Sequence, residues 1–319
     1  MNKKQVYLVI LLTLSLLLLT AGAYYVYQFF SGNLPTPQSL RLGPVEIRLY
    51  SVCILLGVLL SYAFGFWRAK IYNFSPSMVD DLLLLGVPLG LISTRLAYVL
   101  LNLPYYLSDP IKIFYIWEGG LTLHGGIVVA VLILYFYTRA KKISPWRVGD
   151  AFAPTLFIAE GIGRWGNFFN QELIGYPTTG FLRMFVAPAF RPWGYQTYTF
   201  FHPVFLYQSV ANFLLLGLVL YLEHKKKFKE GEVLLSYFFL HSLSRILVEF
   251  MRIEPRIFIG LSLAQLISLA IILITTVIFV LRRRQQPLPL VEGVKLETVT
   301  TVEIDKTVEP TNTDEVTET

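Results

Sequence analysis

Apolar residues run through this chain in long blocks, separated by short stretches where Lys, Arg, Gly, Pro or aromatic residues collect. The first block shows the pattern plainly: Val6 to Tyr27 contains no charged side chain. A run of about 18 or more apolar residues suits a helix crossing about 30 Å of hydrocarbon. Eight such blocks predict helical spans near residues 5–25, 48–67, 82–101, 121–138, 151–168, 204–222, 233–251 and 261–281. The block at 151–168 fits least well, because Glu160 and Arg164 interrupt it. In hydrocarbon every backbone N–H and C=O must be satisfied within the protein, so spans of this type fold as helices. The pattern predicts an all-α polytopic membrane protein with about eight transmembrane helices.

The segments between the blocks divide the chain further. Residues 169–203 are rich in Gly, Pro and aromatics, too aromatic for disorder, and predict an extracytoplasmic loop that folds at the membrane surface. From Gln285 the chain turns to Thr, Glu and Val with few large apolar residues, the composition of a disordered tail. Residues 1–40 then form an N-terminal anchor and linker, 41–284 a helical core, and 285–319 an acidic cytoplasmic tail. Lys3 and Lys4 ahead of the first run also fit a cleaved signal peptide. The run continues into Tyr24, Tyr25 and Tyr27 without a small-residue cleavage site, which favours a retained anchor.

Charge orients the spans. Of the residues, 55% are hydrophobic and 15% charged, against roughly 25% charged in soluble domains. The net charge of +6 hides an asymmetry, since residues 285–319 carry −6 and the preceding 284 carry +12. With both termini in the cytoplasm, fifteen Lys and Arg fall on the inner side, among them Arg68, Arg147 and Arg282 to Arg284, and seven on the outer side. This is the positive-inside bias, so the basic runs read as topology signals rather than a nucleic-acid surface.

The same topology sets the depth of the polar residues inside the spans. Arg95, Glu160, Arg164, Asn167, Arg245 and Glu249 fall in the outer halves of three spans, while His124 and Tyr50 open two others at the outer face. Glu160 with Arg164, and Arg245 with Glu249, lie four apart and share helix faces. Either pair alone suits a helix-gluing ion pair. Three arginines, two glutamates and a histidine at one depth suit a site, because charge within a membrane is costly and marks function by default. An arginine fork grips phosphate oxygens through parallel hydrogen bonds, so the expected ligand is a phospholipid headgroup or another anion.

Other signals are weaker. Gly161-Ile-Gly163-Arg-Trp-Gly166 matches a dinucleotide-binding pattern but lacks the strand that gives it meaning, and reads instead as close helix packing. His124, His202, His224 and His241 lack metal-ligand spacing, so neither metal nor cofactor is expected. His224 sits among lysines as a solvated residue, His202 suits a structural role, and His241, mid-span, suits a helix–helix hydrogen bond. The single cysteine, Cys53, lies in an apolar run and reads as a small buried hydrophobe.

Five ordered motifs resemble the bacterial phosphatidylglycerol–prolipoprotein diacylglyceryl transferases. They are Gly43-Pro-Val-Glu-Ile-Arg-Leu-Tyr50; Ile116-Trp-Glu-Gly-Gly-Leu-Thr-Leu-His124-Gly-Gly; Gly163-Arg-Trp-Gly-Asn-Phe-Phe-Asn-Gln-Glu172 with Gly175; His202-Pro-Val-Phe-Leu-Tyr207; and Ser244-Arg245-Ile-Leu-Val-Glu249-Phe-Met-Arg252. The resemblance covers roughly residues 41–284 and implies a seven-helix core, leaving residues 5–25 as an extra span. Gln208 stands where the family usually has glutamate, and it is left outside the expected site.

The resemblance implies transfer of a diacylglyceryl group from phosphatidylglycerol to the lipobox cysteine of a prolipoprotein signal peptide in the bacterial inner membrane. A thioether forms and glycerol 1-phosphate leaves. On that reading His124 is the base that activates the thiol. Arg164 and Arg245 neutralise the leaving phosphate, Asn167 adds a donor, and Glu172 and Glu249 orient arginines or glycerol hydroxyls. Tyr50 and Arg95 complete the headgroup pocket. The competing reading, a transporter or channel for an anionic solute or lipid, requires charge along the full depth of the bundle and broken helices at its middle.

Overall fold

The computed structural model describes residues 3–116, 119–225 and 228–284. The tail expected at 285–319, Trp117 and Glu118 of the second motif, and Lys226 and Lys227 of the basic runs lie outside the described residues. Among the described residues, long helices stand where the apolar blocks are read. They are α1 (Lys3–Ser31), α2 (Leu49–Ile71), α3 (Pro76–Leu101), α5 (Leu123–Lys141), α6 (Pro145–Asn170), α7 (Val204–Lys225), α8 (Glu232–Glu249) and α9 (Leu263–Arg284). Pro76 and Pro145 open α3 and α6, where a missing N–H costs nothing. Of these helices, α2, α3, α7 and α9 are long and apolar enough to cross a membrane by length and composition. A short helix, α4 (Leu103–Ser108), and a 3-10 turn at Pro110–Phe114 fill the α3–α5 connection, which the apolar pattern does not foresee.

The helix that fits a membrane span least well is the central one. α6 packs along α2, α7 and α8, and eleven of its residues are buried. Its charges therefore face other helices, which is why its composition is less apolar than its neighbours'. Its glycines carry the packing. A Cβ on Gly166 would lie 2.8 Å from the Tyr50 ring, and one on Gly161 would lie 3.0 Å from Phe213. On the facing helix, a Cβ on Gly57 would lie 2.9 Å from the Ala159 carbonyl. The α3–α5 pair is tighter still, since a Cβ on Gly125 would lie 2.1 Å from the Ser93 carbonyl.

The helices alternate in direction. The N-terminal ends of α2, α5, α7 and α9 gather with the C-terminal ends of α3, α6 and α8. That end carries two small hairpins. β1 (Ser39–Leu42) pairs with β2 (Val45–Arg48) around Gly43, whose φ of +62° suits glycine. In this hairpin the Ser39 hydroxyl and Arg41 hold the Glu46 carboxyl below its ordinary pKa. β3 (Met184–Phe185) pairs with β4 (Phe200–Phe201). The segment 171–203 is folded, around a buried core of Phe168, Ile174, Met184, Val186, Phe201 and Phe205. Phe29 and Phe30 at the end of α1 pack into this core, with the Phe30 ring 5.6 Å from that of Phe168.

The opposite end is held by a buried polar network. Arg68 is 1% exposed. It donates to both Glu223 oxygens, at 2.6 and 2.9 Å, and to the Ala151 and Asp150 carbonyls at 2.9 and 2.8 Å. The Tyr72 hydroxyl donates to Glu223 at 2.7 Å, and burial together with that carboxylate pushes its pKa up. Asp150 caps the start of α8 by accepting from the Gly231 and Leu234 N–H groups at 2.5 and 2.8 Å. Between the two polar ends lies an apolar layer of Ala153, Phe157, Val219, Val233 and Tyr237.

Candidate functional site

The first-motif end of the bundle collects the expected site residues, but not into one hydrogen-bonded set. α6 and α8 bring together the central cluster. Arg164 pairs with Glu160 one turn below it, and His241 Nε2 lies 2.6 Å from the other oxygen of Glu160. His241 thus joins α8 to α6, and its ring stacks on Tyr237 at 5.6 Å. One turn further along α8, Arg245 Nη2 lies 3.3 Å from Glu249, which is 1% exposed. Arg252 approaches the same oxygen at 3.7 Å and pairs with Glu254 at 2.6 Å. Ser262 donates to the second Glu249 oxygen at 3.2 Å, which fixes that carboxylate from the start of α9.

The arginines of this cluster are incompletely paired. Among the described residues, Arg164 Nε, Arg245 Nη1, Gln208 Oε1 and Glu249 Oε2 are buried without a hydrogen-bond partner. Buried polar atoms normally find partners, so such a group marks a place where a water or a ligand group can bind. A small cavity lies against Gln208 and Arg245, lined by Glu160, Gln208, Asn212, His241, Ser244 and Arg245. Gln208, Asn212 and Ser244 are absent from the sequence-based site. For Gln208 and Asn212 the signal is two amide side chains four apart in the apolar first half of α7.

The remaining expected residues surround the cluster. Asn167 donates to Glu172 at 3.2 Å, and Asn170 donates to its other oxygen at 2.9 Å, so Glu172 is held at the end of α6. Tyr50 packs on Gly166, beside Arg164 and Glu172. His124 is exposed in the first turn of α5 and is not drawn into the cluster. Arg95 is placed differently from its expected headgroup role. It is buried, and its guanidinium donates to the backbone carbonyls of Lys112, Ile113, Gly119 and Gly120. Four of its five N–H groups are thereby committed to shaping the α3–α5 connection. Gly120 is required beneath it, since a Cβ there would lie 2.7 Å from Arg95 Nη1. His202, expected to be structural, meets the Tyr207 hydroxyl at 2.9 Å. The described residues contain no group of His, Cys, Asp or Glu able to hold a metal ion.

The fold, with its apolar helices long enough to cross a membrane and its polar cluster at one end of the bundle, defines a helical membrane protein as the class. Comparison with known proteins narrows the class. Residues 37–281 match the family described as prolipoprotein diacylglyceryl transferase. The chain is 39% identical over 289 residues to a phosphatidylglycerol–prolipoprotein diacylglyceryl transferase of Thermotoga maritima, covering 86% of this chain and 97% of that one. It is 35% identical over 255 residues to the Streptococcus suis protein of the same name, covering 79% and 94%. It is 38% identical over 237 residues to that of Halalkalibacterium halodurans, covering 73% and 81%. The chain belongs to the prolipoprotein diacylglyceryl transferase family, and α1 lies ahead of the matched residues.

Proposed function

We propose that this protein transfers the diacylglyceryl group of phosphatidylglycerol to the lipobox cysteine of prolipoproteins, the first step of lipoprotein maturation. The observation that carries the reading is the pair of unpaired guanidinium nitrogens, Arg164 Nε and Arg245 Nη1, in a chain of this family. The thiolate attacks the glycerol carbon that bears the phosphate. A C–S bond forms, the C–O bond to phosphate breaks, and the electron pair stays on the departing glycerol 1-phosphate. Negative charge grows on the phosphate, and preorganised guanidinium donors in a water-poor site stabilise it. Glu160 and Glu249 orient the two arginines without saturating them. Asn167, Glu172 and Tyr50 form the rim that holds the headgroup, and Arg95 frames the site by fixing the neighbouring connection. His124, exposed at the same end, takes the proton of the thiol, whose ordinary pKa near 8.5 calls for a base at neutral pH.

We place the protein in the bacterial cell membrane with eight crossings, both termini cytoplasmic, and the open cluster toward the outer leaflet, where lipid and exported cysteine meet. The excess of Lys and Arg on the opposite side supports this orientation. Phe29 and Phe30, packed into the core of 171–203, support retention of α1 as an anchor. The apolar layer of Phe157, Val219 and Tyr237 separates the two polar ends, which disfavours a conducting path and hence the transporter reading. The test is to incubate the purified protein with labelled phosphatidylglycerol vesicles and a lipobox peptide. A thioether-linked diacylglyceryl peptide and released glycerol phosphate are expected, and an unmodified peptide would overturn the reading.

A further inference from the structure

We infer that Gln208 reads a hydroxyl of the phospholipid headgroup, giving the site a preference for glycerol over headgroups without hydroxyls. The inference rests on the phosphate-clamp reading of Arg164 and Arg245. Gln208 lies in the second turn of α7, 4% exposed, with Oε1 buried and unpaired among the described residues. It lines the same cavity as Arg245, beside Asn212, which shares its helix face and is also 4% exposed. An unpaired buried carbonyl oxygen needs a donor, and a ligand that supplies one is favoured over a ligand that does not.

The chemistry of the donor follows from what else the cavity holds. An ionised phosphodiester offers only acceptors, so the phosphate held by the arginines could accept from Gln208 Nε2 but cannot satisfy its Oε1. A hydroxyl on the group attached to that phosphate supplies such a donor. An ammonium headgroup would place a cation beside the Arg245 guanidinium, and the one carboxylate in the cavity wall, Glu160, is already engaged by Arg164 and His241. A neutral hydroxyl pairs with the amide oxygen without that repulsion. Gln208 is thus a substrate-reading residue, separate from the groups that stabilise the leaving phosphate.

The test compares phosphatidylglycerol with dioleoyl phosphatidylpropanol, whose headgroup keeps the phosphodiester and lacks both hydroxyls. A site built around a buried polar group rejects the analogue that leaves it unpaired, so the wild-type protein should prefer phosphatidylglycerol by about tenfold or more in kcat/KM. Gln208→Met should lose that preference mainly through phosphatidylglycerol, while Gln208→Glu, which keeps an acceptor, should retain it. The ratio between two lipids in one preparation cancels any loss of folded protein. Equal use of both lipids by the wild type, or an unchanged preference in Gln208→Met, would overturn the inference. Arg245→Ala, run in parallel, should lose both lipids alike. Activity retained there would break the clamp reading, and the Gln208 ratio would still stand or fall separately.

Discussion

Arg68 and Arg164 both face the central helix of the bundle, Arg164 from within it and Arg68 from α2, and their guanidiniums are held in opposite ways. Arg68 is enclosed by two carboxylate oxygens of Glu223 and two backbone carbonyls, with the Tyr72 ring 5.1 Å away. Arg164 is oriented by Glu160 and left with Nε buried and unpaired, and Arg245 is left with Nη1 in the same condition. From Asp150 to Glu160 on α6 is ten residues, about 15 Å of helix rise. Within that distance the arginines change from closely paired to incompletely paired, across a layer built on Ala153 and Phe157. What separates the two ends is not burial or charge but whether the hydrogen-bonding capacity of each arginine is used up.

That contrast can be broken from either end. Arg68→Ala leaves the half-buried Glu223 and the buried Ala151 and Asp150 carbonyls without their donor, and losing one partner of a buried pair costs about 3–5 kcal/mol. Thermal unfolding in detergent should show this loss, while kcat/KM per folded molecule stays near the wild-type value. Arg164→Ala or Arg245→Ala should instead lower kcat/KM per folded molecule, since removing a preorganised donor from a developing anion lowers turnover by about 10²–10³-fold. Each also leaves a carboxylate, Glu160 or Glu249, without a partner, so activity per folded molecule rather than Tm separates these variants from Arg68→Ala. His124→Gln should lower transfer at neutral pH by about 10²-fold. Raising the pH toward the thiol's ordinary pKa of about 8.5 should recover part of that loss, because the substrate then ionises unaided. Gly125→Ala drives a methyl group onto the Ser93 carbonyl, and overpacking of this kind costs about 1–3 kcal/mol of stability.

Much of this arrangement is legible in the sequence, and the exceptions have physical causes. The helix period alone pairs Glu160 with Arg164 and Arg245 with Glu249, because partners four residues apart are fixed by local geometry. Arg68 reads as a topology marker because its partner, Glu223, is 155 residues away and nothing local announces the pairing. Arg95 is the harder case. Its partners are backbone carbonyls, which every sequence supplies, so no residue pattern distinguishes a structural arginine of this kind from one that waits for a phosphate. α6 reads as the poorest span for the reason that it is the central helix, since a helix shielded by others has no need of a lipid-facing surface. Gln208 is left outside the expected site because it departs from the family motif, whereas the structure places it in the cavity wall with its Oε1 buried and unpaired.

The distinction between saturated and unsaturated arginines is tested most directly by a structure of the protein with phosphatidylglycerol bound. The phosphate should lie within hydrogen-bond reach, about 3 Å, of both Arg164 Nε and Arg245 Nη1, with Arg68 still closed around Glu223. A phosphate bound elsewhere, with those two nitrogens still unpaired, would contradict the account.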